Sequence, residues 1–148
     1  NFRRAGQIPA VFYGKKEEKD VSGNKLRLDS LSLTTLTNWR KPDSKETDLW
    51  EVGYFFKEKA DGSGYVMMRR EKRNLNTQES SLEDETEYEI TDSVDSLQLR
   101  YYSGSQSTST DELGSSSSCA RPTAVEMTLT LASGKVYLTQ VDIVKPQN

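Results

Sequence analysis

Hydrophobic and polar residues alternate with a period of two along much of this chain, which is typical of half-buried β-strands. The alternation is clearest in residues 50–57, and it resumes in residues 65–70. Between these two segments lies Asp61-Gly62-Ser63-Gly64, which has the chemistry of a turn. The sequence therefore predicts a β-hairpin with a loop of several residues.

A second hairpin is predicted near the C-terminus. Residues 125–131 alternate, Ser133-Gly134 supplies a tight turn, and residues 135–144 return. Pro122 precedes the first strand and Pro146 follows the second, where a missing backbone N–H costs no ladder hydrogen bond.

Further strands are predicted in residues 26–33, from Tyr88, and in residues 97–101. The alternation shifts by one position between Leu28 and Leu31, and a shift of one residue sends side chains to the opposite face. We therefore expect a bulge or a break near residues 29–30. The total is about six strands, mostly joined by hairpins and hence antiparallel.

The remaining segments are polar. We expect connections or surface loops at residues 14–24, 38–48 and 74–87, and a flexible Ser-rich loop at residues 103–121, which is too poor in apolar groups to order itself. Residues 1–12 are expected to be a short helix remnant, because their apolar positions have loosely helical spacing. With 148 residues, of which 33% are hydrophobic and 29% charged, the chain fits a single domain (1–148) with a modest core.

Charge excludes one class of partner. The formal net charge is −3, so there is no basic field to attract nucleic acid. No apolar run approaches the ~20 residues that span a membrane. The chain begins at Asn1 and not at Met, so we expect a processed or truncated N-terminus, with membrane attachment only through a missing N-terminal helix.

The sequence offers no catalytic or cofactor chemistry. Without His, the usual Ser–His–Asp and Cys–His arrangements and most zinc and haem sites are excluded. Cys119 is the only cysteine, so it has neither a disulfide partner in the chain nor a His to activate it. Carboxylates at residues 83–87 lie in a polar segment where nothing raises their pKa, and those at residues 43–48 lack the spacing of a calcium loop. We predict no enzyme activity, no cofactor and no metal.

Five aromatic residues leave a carbohydrate-binding role open. Trp50 and Tyr54 share one face of an alternating strand, where packing in the core is the expected role. Trp39 lies in a polar stretch and is the better candidate for an exposed anchor. Tyr101 and Tyr102 should lie on opposite faces of a strand, so that only one of them belongs to the core.

Three segments carry a resemblance to a known family. They are residues 52–56 with 66–70, residues 90–102, which end in Arg100-Tyr101-Tyr102, and residues 121–129, which begin Arg121-Pro122. In their order and spacing they resemble the J-type minor pseudopilins of type II secretion systems, over nearly the whole chain. Two features depart from the family pattern: the long N-terminal apolar helix is absent, and serines with Cys119 replace a Trp often found before the Pro.

The resemblance implies an α+β, mainly β, pseudopilin fold: a short N-terminal helix remnant packed on an antiparallel β-sheet that curls toward an incomplete barrel. It also implies a periplasmic domain of an inner-membrane-anchored bacterial protein. The implied partners are the I- and K-type minor pseudopilins, with which the chain would form the tip that initiates pseudopilus assembly for protein export. No reaction is implied.

If the chain works by assembly, its affinity should come from apolar patches. We predict a partner interface at Phe2, Ile8, Val11 and Phe12; the alternative is that these residues pack on the sheet of their own chain. Two other functions remain open: a type IV pilus minor pilin, and a β-sandwich carbohydrate-binding module.

Overall fold

The computed structural model describes residues 12–35, 50–72, 85–104, 109–114 and 121–143. Within these ranges the regular structure consists of eleven β-strands, with no helix. The strands are β1 (Phe12–Lys15), β2 (Glu18–Val21), β3 (Asn24–Arg27), β4 (Ser30–Thr35), β5 (Trp50–Glu58), β6 (Tyr65–Lys72), β7 (Glu85–Thr91), β8 (Val94–Tyr102), β9 (Ser109–Thr110), β10 (Ala124–Leu131) and β11 (Val136–Asp142).

The first sheet has five antiparallel strands in the order β1-β4-β5-β6-β7. Its centre is the predicted hairpin of β5 and β6, in which Phe56 pairs with Met67 and Val52 pairs with Glu71. The turn is closed by Asp61, whose carboxylate accepts a hydrogen bond of 2.9 Å from the backbone N–H of Ser63. The first predicted hairpin is thus confirmed.

The second sheet has four strands in the order β11-β10-β8-β9, and β2 and β3 form a separate two-stranded hairpin. The second predicted hairpin, β10–β11, is confirmed, with Val125 opposite Val141 and Leu129 opposite Tyr137. On its other side β10 pairs with β8, so β10 lies inside the sheet and β11 at its edge.

The two sheets meet along a line that we call the seam, made of Gly14, Leu28, Asp29, Tyr101 and Leu113. Gly14 bridges Leu113, and Leu28 bridges Leu97 in parallel orientation. The buried core cluster lies at the seam and consists of Leu28, Phe56, Val94, Leu97, Leu99 and Tyr101. Half-buried side chains of β10, including Met127, pack against it.

The break expected near residues 29–30 is confirmed. Strand β3 ends at Arg27 and β4 begins at Ser30. Between them, Leu28 and Asp29 are each only 1% exposed. The shift in alternation therefore marks the point where the chain leaves the β2–β3 hairpin, contributes to the seam and enters the first sheet.

Three predictions for connecting segments need correction. The loop expected at residues 74–87 is shorter, because strand β7 begins at Glu85. Residues 14–24 were expected to be a charged connection, but they contain the end of β1, β2 and the start of β3. Their strands are short and polar, so they lack the apolar alternation that would have shown them. Within the Ser-rich segment 103–121, residues 109–110 pair with β8, and the backbone N–H of Leu113 donates to the carbonyl of Gly14 at 3.0 Å.

The fold is therefore mainly β and antiparallel, as predicted. The expected helix lies outside the described residues, except that Phe12 begins strand β1. In the described part of the chain the two sheets are bridged at the seam and β6 also contacts β8, but no strand pairing joins them into one closed sheet, and closure toward a barrel stays a prediction. Among the same residues, no helix is long and apolar enough to cross a membrane.

Candidate partner-binding surfaces

Strand β11 is exposed along its whole length. The exposed fractions are 61% for Val136, 50% for Tyr137, 68% for Leu138 and 56% for Val141. These four are the majority of the large hydrophobic side chains that are exposed in the described parts of the chain. Clustered exposed apolar residues mark interaction surfaces more often than scattered ones do.

The side chains of β11 leave the sheet on both faces. Tyr137 and Val141 lie opposite Leu129 and Val125, which pack against the core, so they extend the inner face of the second sheet. Val136 and Leu138 have the other parity and lie on the outer face. The strand is therefore apolar on its inner and outer faces alike.

The backbone of β11 also offers hydrogen bonds. The N–H of Leu131 donates to the carbonyl of Lys135 at 2.9 Å, and the N–H of Ile143 donates to the carbonyl of Thr123 at 2.8 Å. Because hydrogen-bonded pairs alternate along an antiparallel ladder, the odd-numbered residues of β11 bond to β10. The even-numbered residues, from 136 to 142, direct their N–H and C=O groups away from β10, toward the outer edge of the sheet.

Strand β7 ends the first sheet in a different way. It carries Glu85, Glu87 and Glu89, and two exposed apolar side chains, Tyr88 at 41% and Ile90 at 44%. Charged side chains on an edge strand discourage pairing with another chain, because a docking strand must approach and desolvate them. Strand β7 is thus a protected edge.

A polar network fixes β7 to β6. The Tyr88 hydroxyl donates to Glu71 Oε1 at 2.8 Å, and Arg69 Nε donates to the same oxygen at 2.9 Å. Arg69 also donates to the hydroxyl of Tyr54. Burial and the hydrogen bond to Glu71 raise the pKa of Tyr88. For Arg69, burial acts to lower the pKa, but Glu71 and the two tyrosines outweigh it and the pKa is raised.

Asp29 holds the seam together. Its carboxylate accepts hydrogen bonds from Arg27 Nε at 2.7 Å, Arg27 Nη2 at 3.0 Å, the backbone N–H of Leu99 at 2.8 Å and that of Glu17 at 3.2 Å. Arg27 Nη1 reaches Asp111 at 3.4 Å. One buried carboxylate thereby joins the segment between β3 and β4 to β8, and it positions the two sheets.

Tyr101 is 1% exposed and packs over Gly14. Its ring meets that of Phe12 edge to face, with ring centroids 6.5 Å apart and an angle of 89°. No hydrogen-bond partner for the Tyr101 hydroxyl lies among the described residues. Burial, and secondarily the negative charge of Asp29, raise the pKa of Tyr101.

The four predicted interface residues have different outcomes. Phe12 lies on β1 and packs against the core, which agrees with the alternative of packing on its own chain. Phe2, Ile8 and Val11 lie outside the described residues, so their role in an interface stays a prediction.

The aromatic residues follow their predicted roles only in part where the structure describes them. Trp50 is 8% exposed, which agrees with a core role. Tyr54, expected in the core on the same face, is half-buried and accepts a hydrogen bond from Arg69. Tyr101 is buried while Tyr102 is half-buried and lies on the other face of β8. Trp39 lies outside the described residues.

The candidate metal and acid–base groups are not brought together in the described part of the chain. No group of three or more His, Cys, Asp or Glu side chains there has the geometry to hold a metal ion. Glu85 and Glu87 lie on the open edge strand β7. Cys119 and the carboxylates at residues 43–48 lie outside the described residues.

The sequence interpretation missed strand β11 as a surface. The turn at Ser133-Gly134 after the alternating segment 125–131 correctly predicted a returning strand, but the number of neighbours of that strand depends on topology. One signal was available in the sequence. Val136 and Leu138 stand at even positions and Tyr137 and Val141 at odd positions, so apolar side chains lie on both faces of the strand, and residues 136–141 include no charged residue. A strand that is apolar on both faces needs cover on both faces.

Comparison with solved structures defines the class of fold. The chain is similar to a chain of the crystal structure of the GspK-GspI-GspJ complex from the enterotoxigenic Escherichia coli type 2 secretion system. The TM-score is 0.55 at 20% sequence identity, and the match covers 90% of this chain and 77% of that chain. The protein thus shares its fold with that chain.

The family follows from the sequence. The family model for Type II secretion system (T2SS), protein J matches residues 3–141, which is nearly the whole chain. The chain belongs to this family. Comparison with the curated proteins found no match.

Proposed function

We propose that this chain is the head of a J-type minor pseudopilin, which binds I- and K-type minor pseudopilins at the tip of the pseudopilus and so initiates its assembly for protein export. The observation that carries the proposal is the protein J family match over residues 3–141. The likeness in fold to a chain of the GspK-GspI-GspJ complex supports it.

The physical basis of this role is a rigid scaffold with surfaces for partners. The Asp29 hydrogen bonds fix the two sheets relative to each other, so side chains on the rim of the domain hold defined positions. Partner contacts at Phe2, Ile8 and Val11 remain part of the proposal. Phe12 is half-buried and packs against the core cluster, which favours a supporting role for this residue.

The same proposal places the domain in the periplasm, attached to the inner membrane through an upstream apolar helix. Membership of the protein J family supports this location. The role is structural and includes no reaction. The type IV pilus minor pilin and the carbohydrate-binding module gain no support from the family match.

The direct test is co-elution of this head with separately purified I- and K-type heads from the same secretion system. At about 10 μM of each protein, a complex of ordinary micromolar affinity elutes as one species. Separate elution of the three proteins at this concentration would count against the proposal.

The predicted interface is tested by the double variant Phe2→Ala/Ile8→Ala. We expect it to keep the unfolding midpoint of the parent chain and to lose co-elution. The matched control is Phe12→Ala, which removes a ring that contacts Tyr101 and should lower the unfolding midpoint. Unchanged co-elution of the double variant would show that the partners bind elsewhere.

A further inference from the structure

We infer that strand β11 is a docking edge for a second copy of this chain, which adds its own β11 in antiparallel orientation about a two-fold axis at Thr139. This contact is between identical chains and is therefore separate from the binding of other minor pseudopilins proposed above. The inference rests on the charge, backbone direction and side-chain order of β11.

The first argument is charge. Residues 136–141 carry no charged side chain, and Lys135 and Asp142 lie outside that stretch. Two copies of β11 therefore meet without like charges facing each other. Two copies of β7 would bring glutamates close to glutamates, which is destabilising. Of the two edge strands that end the sheets at β7 and β11, only β11 is compatible with its own copy.

The second argument is geometry. In an antiparallel pair, opposite residues point to the same face. A two-fold axis must therefore pass through a residue position, with equal distances to paired residues on either side. An axis at Thr139 places Leu138 opposite Gln140 of the second copy. Both residues direct their backbone groups outward, so they form a hydrogen-bonded pair.

The third argument is side-chain order, which singles out Thr139 as the centre. On the inner face, Tyr137, Thr139 and Val141 meet Val141, Thr139 and Tyr137 of the second copy. Aromatic–β-branched and Thr–Thr pairs are among the favourable cross-strand pairs. An axis at Leu138 would instead place Tyr137 opposite Thr139 and Val136 opposite Gln140 of the second copy. The segment is thus complementary to itself about Thr139.

The size of the contact sets its strength. A seven-residue strand pair buries well below the ~1,200 Å² of a stable interface. We therefore expect a dissociation constant on the order of 100 μM. Such a contact forms where copies are concentrated, and it yields readily to a tighter partner.

Cysteine cross-linking tests the register. In a Cys119→Ser background, Thr139→Cys places two thiols in a pair with Cα atoms about 4.5 Å apart, which a disulfide can bridge. In Leu138→Cys the two cysteines form a diagonal pair with Cα atoms about 7–8 Å apart, beyond the Cα separation that a disulfide bridges. At about 100 μM protein in a glutathione redox buffer, we expect roughly ten times more disulfide dimer from Thr139→Cys. Equal yields, or more dimer from Leu138→Cys, would overturn the proposed pairing.

Sedimentation of the chain without new cysteines tests the edge itself. We expect its average mass to rise between about 10 μM and 1 mM. Leu138→Pro removes an outward N–H while leaving the bonds to β10, so it should abolish this rise. Ile90→Lys, on the other edge strand, is the matched control and should leave it unchanged. Circular dichroism confirms that each variant is folded.

Three outcomes would overturn the inference: a constant monomer mass up to about 1 mM, association that persists in Leu138→Pro, or association lost in Ile90→Lys. Binding of an I-type head that is lost in Leu138→Pro, without self-association, would assign the edge to a different occupant. Failure here leaves the co-elution test untouched, because that test involves no contact between identical chains.

Discussion

The seam and strand β11 differ in the exposure of their hydrogen-bonding groups and apolar side chains, which are buried at the seam and exposed on β11. At the seam, the buried Asp29 carboxylate is shared among Arg27 and two backbone N–H groups, and Leu28 is 1% exposed. On β11, half of the backbone groups point away from the sheet, and Leu138 is 68% exposed. The stability of this domain therefore depends on the seam, while β11 is available for recognition.

The largest expected effect comes from Asp29→Ala. The substitution removes the acceptor of the buried N–H of Leu99 and of Arg27 Nε and Nη2, which leaves Arg27 only its longer contact with Asp111. Breaking a buried ion pair typically costs about 3–5 kcal/mol. We expect a loss of this size in the free energy of unfolding, measured by urea titration. Asp142→Ala on β11 is the control and should stay within about 0.5 kcal/mol.

A smaller loss is expected from Gly14→Ala. A Cβ atom at position 14 would lie 1.9 Å from Tyr101 Oη and 2.2 Å from its Cζ, so the ring or the strand must move. Overpacking of this kind costs about 1–3 kcal/mol. The control is Gly53→Ala, where the nearest atom would be Ser32 Oγ at 3.3 Å. Equal losses in the two variants would contradict a tight seam at Gly14.

The seam should also be sensitive to alkaline pH. Burial raises the pKa of Tyr101, so folding favours the neutral hydroxyl. This contribution is complete below the unfolded-state pKa of about 10 and is lost as pH rises toward the folded-state value. The loss amounts to at most ~1.4 kcal/mol per pH unit. Urea titrations between pH 8 and pH 11 should therefore show less loss in Tyr101→Phe than in the parent chain.

The smallest effects on stability are expected at the two edges. Leu138→Lys on β11 and Glu87→Thr/Glu89→Thr on β7 should each change the unfolding free energy by only about 0.5 kcal/mol. Their effects on association should be opposite. Leu138→Lys places a charge on β11 and should abolish self-association, whereas adding the two β7 substitutions to Leu138→Lys removes two charges from β7 and should restore self-association through that edge. A triple variant that stays monomeric would show that charge is not what protects β7.

Local patterns were sufficient to predict much of this fold. Both hairpins follow from period-two alternation and turn residues, and the break near Asp29 follows from the shift between Leu28 and Leu31. The resemblance in residues 52–56, 90–102 and 121–129 agrees with the protein J family match. These features depend on residues that are close together in the sequence.

Local patterns could not predict the contacts at the seam or the exposure of the edge strands. Asp29 is buried where β8 packs against it, and it accepts a hydrogen bond there from the N–H of Leu99. Leu99 lies 70 residues away in the sequence, so no local pattern reports this contact. Nothing near Asp29 distinguishes it from a surface carboxylate. The exposure of β11 likewise depends on its place at the end of the strand order, and alternation shows only that a segment is a strand. The short strands β1 to β3 depend on contacts with other strands that alternation does not report.

The Asp29 site has a consequence for the time course of folding. Its hydrogen bond to Leu99 joins positions that are 70 residues apart in the sequence, and the contact between Arg27 and Asp111 joins positions that are 84 apart. Contacts of such separation cost more loop entropy than hairpins do, so the β5–β6 and β10–β11 hairpins should form before them. Interactions absent from the folding transition state slow unfolding without speeding folding. The buried carboxylate would then act chiefly as a lock that keeps the finished domain from opening.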